Sequence, residues 1–155
     1  MTDLQPLTLL LGQHERQRDA AIAEHQRTLQ ASEAASAQAE QLRAYRREYE
    51  QRWSAQFSRE GQIELVRCYH SFMQRLTQAV DQQTRQATHA AQQVETALMA
   101  LRECELRCAS VRKLIERRVL EHRALDERRD QKQTDEQASR AAWNRFGAHG
   151  GSRLM

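Results

Sequence analysis

The sequence predicts an all-α protein: two long helices forming an antiparallel coiled-coil hairpin with an overhanging C-terminal helix. Three observations carry that expectation. No proline follows Pro6, and Gly61 is the only glycine between Gly12 and Gly147; the strongest helix breakers are thus confined to the two ends and one interior point. Leu, Ile, Val and Phe supply only 27 of 155 residues, too few to fill the core of an isotropic domain of this length. From Val66 onward the core candidates recur at alternating steps of three and four, the spacing of a coiled-coil seam.

So low an apolar content would also fit disorder, but 24 basic and 21 acidic residues leave a net charge of only +3, and the abundant Ala, Gln, Glu and Arg favour helix. The first arm, about 4–58, opens its stripe at Leu4, Leu7 and Leu11. The stripe then passes through Ala21, His25, Ala35 and Ala39 and regains large residues at Leu42, Tyr45, Tyr49, Trp53 and Phe57. It is less regular than the second arm. Small residues let helices approach closely but bury little area, so the middle is the weaker stretch.

The connection falls at about 58–62, with Gly61 marking the reversal, and residues whose numbers sum to about 121 then lie opposite each other. The second arm runs from about 63 to 146. One set of its seam positions is Val66, Met73, Val80, Ala87, Val94, Leu101, Cys108, Ile115 and His122. The other is Tyr69, Leu76, Gln83, Ala90, Ala97, Cys104, Val111, Arg118 and Leu125. At about 1.5 Å per residue the arms are roughly 80 and 120 Å long.

Leu4 should face the region of Arg117, where the first arm is used up. The seam turns polar at the same height, through Arg118, His122, Arg129 and Lys132. A parallel dimer has no reason to change there, so an elongated monomeric hairpin is favoured. The helix from about Arg118 to Arg145 is left unpaired and marginal in water, to fray or be ordered by a partner. The Gly-rich stretch 147–155 reads as a flexible tail.

Composition also bounds function. The pI is near 9.0, yet stretches such as Arg112 to Lys132 mix eight basic with five acidic residues, a solvated helix surface and not a nucleic-acid site. The longest apolar run, Leu9 to Leu11, is too short for a signal peptide or membrane span. Three cysteines without framework spacing fit a reducing compartment, so a cytoplasmic location is expected. Cys104 and Cys108 stand one turn apart on the seam, where they pack as small hydrophobes. The histidines are scattered and no phosphate loop is present. No enzymatic activity, cofactor or metal is expected, and a bare hairpin leaves function to its faces and ends.

Two constellations stand out. Gln38, Leu42, Tyr45 and Tyr49 advance by 4, 3 and 4 along one face of the first arm. Phe72, Leu76, Ala79 and Gln83 repeat those steps in the second, and the pairs 38/83, 42/79, 45/76 and 49/72 all sum to 121. They form one aromatic-rich patch, serving as the hairpin's own seam or as a surface for a partner. The second constellation is Asp130, Gln131, Lys132, Asp135, Glu136 and Arg140 on the overhang, followed by Trp143 and Phe146. Mixed charges alone describe a solvated face; unpaired aromatics commonly anchor interfaces.

These features resemble the flagellar FliJ family, a small coiled-coil component of the flagellar type III export apparatus. The resemblance covers nearly the whole chain. It is sharpest in Gln41-Leu42 through Tyr45 and Tyr49, in Tyr69 through Phe72, Leu76, Ala79 and Gln82, and in Asp130-Gln131-Lys132, Asp135-Glu136, Ala138 and Arg140-Ala141-Ala142. Gln83 departs from the histidine expected there. The resemblance implies a stalk similar to the central γ subunit of rotary ATPases, inserting its terminal end into a hexameric export ATPase. The overhang, including Asp130, Gln131, Lys132, Asp135, Glu136, Arg140 and Trp143, would bind the ring. The patch of Gln38, Leu42, Tyr45, Tyr49, Phe72, Leu76, Ala79 and Gln83 would touch the cytoplasmic domain of the export gate. Handling of empty export chaperones, and a cytoplasmic location peripheral to the inner-membrane apparatus, are also implied. The corresponding stalk of a virulence type III injectisome and a generic coiled-coil scaffold are the alternatives.

Overall fold

The computed structural model describes residues 4–57, 59 and 62–150, with only the backbone at 149 and 150. Two helices account for nearly all of them: α1, Leu4–Phe57, and α2, Ile63–Gly150. Pro6 falls in the first turn of α1, where its missing N–H removes a donor that would have had no intrahelical acceptor. At the other end the Arg59 N–H donates to the Gln56 carbonyl at 3.1 Å, a tight closure that satisfies one of the orphan acceptors. The Gln62 carbonyl accepts from the Val66 N–H at 3.2 Å. Glu64 in the first turn of α2 complements the positive end of the helix dipole.

Gly61 and Ser58, expected in the reversal, lie outside the described residues, as does the tail from 151. α2 continues through Gly147 to Gly150, past the arm's expected end at Phe146. A glycine in place of alanine costs a helix only about 1 kcal/mol, which does not suffice to stop one.

The chain divides into two compact units, 13–108 and the pair of segments 1–12 and 109–155. Within 13–108 the helices are antiparallel. Gln38 meets Gln83, Tyr49 meets Phe72, and Trp53 meets Tyr69, so contacts descend α2 as they ascend α1. The buried set is Thr28 and Ala39 from α1 with Leu76, Val80, Ala97 and Cys108 from α2. Apart from Leu76 and Val80, whose full burial is worth about 1.5–3 kcal/mol each, these are small side chains. The seam is narrow.

Every expected seam position from Val66 to His122 is buried or half-buried. α1 is equally regular in geometry, although its sequence pattern is the less regular of the two. Arg18, Ala21, His25, Thr28, Ser32, Ala35, Ala39, Leu42, Arg46 and Tyr49 are all shielded at strict 3,4 spacing. Polar residues occupy half of these places and hide the period. The buried Thr28 hydroxyl donates to its own helix, at the His25 carbonyl 2.9 Å away.

In the unit formed by 1–12 and 109–155, Val111 is buried, and Leu114, Ile115, Arg118, Val119 and His122 are half-buried, as are Leu4, Leu7 and Leu11. Leu4 shares a groove with Val119, His122, Arg123, Asp126 and Arg129, about a turn beyond the Arg117 region expected to face it. Side chains on a helix lean toward its N-terminus, and for α1 that direction points up the numbering of α2. The cover therefore reaches His122, and the overhang starts at Arg123. From there to Ala148 every residue is exposed. No helix of the described residues is long and apolar enough to cross a membrane.

Candidate functional site

The first surface is built on the turn-proximal part of both helices. Steps of four along α1 stack Tyr45, Tyr49, Trp53 and Phe57 in succession, with ring centroids 5.9, 5.7 and 5.3 Å apart. From α2, Tyr69 packs edge-on to Phe57 at 5.1 Å and tilted against Trp53 at 5.6 Å, while Phe72 lies 4.5 Å from Tyr49. Each such contact adds about 0.5–1.5 kcal/mol beyond burial alone. Five of these rings, Tyr49, Trp53, Phe57, Tyr69 and Phe72, thus hold this end together, with Tyr45 at the edge of the cluster. Trp53, Phe57 and Tyr69 belong to the cluster but not to the paired stripes; the steps of four from Tyr49 to Phe57 and of three from Tyr69 to Phe72 are the signal for them in the sequence.

At the other edge of the patch the Gln83 side-chain amide donates to the Gln38 side-chain carbonyl at 3.0 Å. Beside it Arg43 donates to the Thr84 hydroxyl at 3.0 Å, and that hydroxyl donates to the Val80 carbonyl at 2.8 Å. Arg43 and Arg47 also share Glu40, at 3.5 and 3.2 Å. The pairings expected of 38 with 83 and 49 with 72 are both present.

Exposure divides the eight patch residues. Leu76 is buried, so it supports the surface from beneath; Leu42, Tyr49, Ala79 and Gln83 are half-buried. Gln38 is exposed, Phe72 is 36% exposed, and Tyr45 is 47% exposed. The spacing predicts Tyr45 on the α1 stripe with Leu42 and Tyr49. Arg46 takes the half-buried position instead and turns Tyr45 outward. Gln38, Gln41, Leu42, Tyr45 and Gln83 line one shallow open groove, with an aromatic wall and amide groups able to donate and accept.

The second surface is the overhang. All seven expected residues there are exposed, and Trp143 and Phe146 are 78% and 80% exposed. Local bonds support the helix: Thr134 Oγ1 donates to the Asp130 carbonyl at 2.8 Å, and the Gln131 amide to Asp135 Oδ1 at 3.3 Å. At about 100° per residue, Lys132, Glu136, Arg140 and Trp143 fall on one face. Asp130 falls on the opposite one. The structure therefore brings four of the seven together and separates Asp130 from them.

Elsewhere, Cys104 is half-buried, Cys108 is buried and Cys68 is exposed, all as free thiols. Among the described residues no group of three His, Cys, Asp or Glu side chains is placed to hold a metal ion.

A family model described as Flagellar FliJ protein matches residues 3–147. No curated protein and no solved structure matches the chain.

Proposed function

This chain belongs to the flagellar FliJ family and is thus a coiled-coil protein related to flagellar export; from that premise we propose that it is the non-catalytic stalk that couples the export ATPase to the export gate. The observation that carries this reading is the end of α2. From Arg123 to Ala148 no described residue is covered, and two aromatic side chains stand almost fully in water near the tip. Such a helix gains little from its own chain and gains most by entering a cavity lined by several subunits. A stalk touching more than one subunit raises their effective concentration about one another, and by binding only the assembled ring it shifts the equilibrium toward assembly. No chemistry on the stalk is required.

The Tyr45 patch would meet the cytoplasmic domain of the gate, with ring rigidity and the Gln38–Gln83 bond lowering the cost of ordering on binding. Handling of empty export chaperones and a cytoplasmic, peripheral position at the inner membrane complete the proposal. The matched family is the flagellar one, which favours the flagellar apparatus over the injectisome.

The decisive measurement is ATP hydrolysis by the cognate export ATPase, titrated with the full chain. Trp143→Ala with Phe146→Ala should remove most of the stimulation while helicity by circular dichroism stays unchanged, since neither ring is packed in the free protein. Full stimulation by the double variant would sink the role given to the overhang.

A further inference from the structure

Beyond His122 the stripe that forms the seam of α2 keeps its heptad phase, and apart from the groove that Leu4 lines with Arg129 no described residue lies over it. Leu125, Arg129, Lys132, Glu136, Ser139 and Trp143 continue the 3,4 spacing, and all six are exposed, Leu125 at 52% and Trp143 at 78%. We propose that this face pairs with the same face of a second copy of the chain, antiparallel, with Lys132 of each copy against Glu136 of the other.

The chemistry of the stripe selects that occupant and register. When two such helices run antiparallel, positions of one seam set meet those of the other set. Centring the pair between 132 and 136 puts Leu125 against Trp143, Arg129 against Ser139 and Lys132 against Glu136, each twice by symmetry. Apolar meets apolar and cation meets carboxylate. A parallel pair would set Arg129, Lys132 and Glu136 each against itself, like charges in three successive layers. Sliding the antiparallel pair by one heptad in one direction sets Arg129 against Lys132 and Leu125 against Glu136. In the other direction it sets Lys132 against Trp143 and leaves both Glu136 and Leu125 without a matching neighbour.

The flanks agree in part. Asp126 falls beside Arg140 of the second copy, two more opposite-charge pairs, whereas Asp135 meets its own counterpart at the two-fold axis and opposes association. The arrangement is isologous and closes at two copies. The paired stretch is barely longer than the minimum for a stable helix, so dissociation constants on the order of 10–100 μM are expected. Trp143 lies on this face, so pairing and ring insertion exclude each other, and the ring would draw its stalk from a self-paired reserve. The inference does not rest on the ring reading, because the test below uses the chain alone.

Sedimentation equilibrium of the full chain under reducing conditions, which keep the exposed Cys68 from forming a disulfide, should show a reversible monomer–dimer equilibrium with dimer prevailing above about 100 μM. Lys132→Glu and Glu136→Lys should each weaken it at least about tenfold through like-charge layers. Mixing the two variants in equal amounts should restore association to the unmodified level, since every layer of the mixed pair again joins opposite charges. A strictly monomeric chain at that concentration, single variants that associate as the unmodified chain does, or a mixture that stays monomeric would each overturn the proposal.

Discussion

Tyr49 lies against Phe72 across the two helices with ring centroids 4.5 Å apart, while Tyr45, one turn back along α1, keeps nearly half its surface uncovered. The two α1 tyrosines therefore have different work: Tyr49 holds the helices together and Tyr45 is available. Tyr45→Ala should weaken binding of the gate's cytoplasmic domain about tenfold, the effect of losing one exposed interface anchor, and leave the melting temperature almost unmoved. Phe72→Ala should do both, weakening binding and costing about 1 kcal/mol in lost ring packing. Titration calorimetry beside thermal melts separates them; equal losses of stability would mean that Tyr45 is core.

Tyr69 touches Phe57, Trp53 and Tyr49 at once. Removing it by Tyr69→Ala should cost about 3 kcal/mol and raise amide exchange in the last turns of α1 and the first of α2. The same readout at Val94 or Leu101, many turns away, should hardly change.

The three thiols grade from exposed to 1% exposed. A thiol reagent should therefore label Cys68 within the mixing time under native conditions, Cys104 more slowly, and Cys108 only as its part of the seam opens. Mass spectrometry of a labelling time course reads the order, and early labelling of Cys108 would contradict its placement against α1.

Arg27 donates to Glu24 through Nε at 3.0 Å. That hydrogen bond, ahead of the attraction between the charges, holds the Glu24 carboxyl below its ordinary value of 4.5. The folded value is the lower one, so the stabilisation is complete above 4.5 and is lost as pH falls through the folded value. Both groups are on the surface and the contribution is small. Arg27→Gln should raise the titration midpoint of Glu24, followed by its side-chain carbon resonance, and should remove this part of the acid sensitivity of the melt.

The second arm was legible in the sequence because its seam is chemically consistent: Val66, Val80, Val94, Leu101 and Ile115 announce the period, and Gln83 and His122 are absorbed by it. The first arm has the same period in space, yet Arg18, His25, Thr28, Ser32 and Arg46 hold seam places in which hydropathy gives no hint. Long side chains can lie along a seam with their charged ends in water, and Thr28 turns its hydroxyl back on its own helix. Only the partner helix discloses such positions. For the same reason the sequence leaves Tyr45 open between seam and surface, since a ring beside Leu42 and Tyr49 fits the apolar pattern better than Arg46 does. The patch pairings at 38/83 and 49/72 were legible because an antiparallel pair conserves the sum of residue numbers near its turn. The position of Leu4 was not, because it depends on the lean of side chains along the helix and not on backbone register.

The unbroken phase of α2 makes its outer segment intolerant of change in length. Deleting one residue between His122 and Trp143 would swing both terminal rings around the axis by about 100° with every side chain otherwise retained. Deleting seven would return them to within about 20° of their present bearing and merely draw them in by about 10 Å. Insertions and deletions should be accepted only in whole heptads, so that the segment behaves as a graduated scale whose unit is two turns.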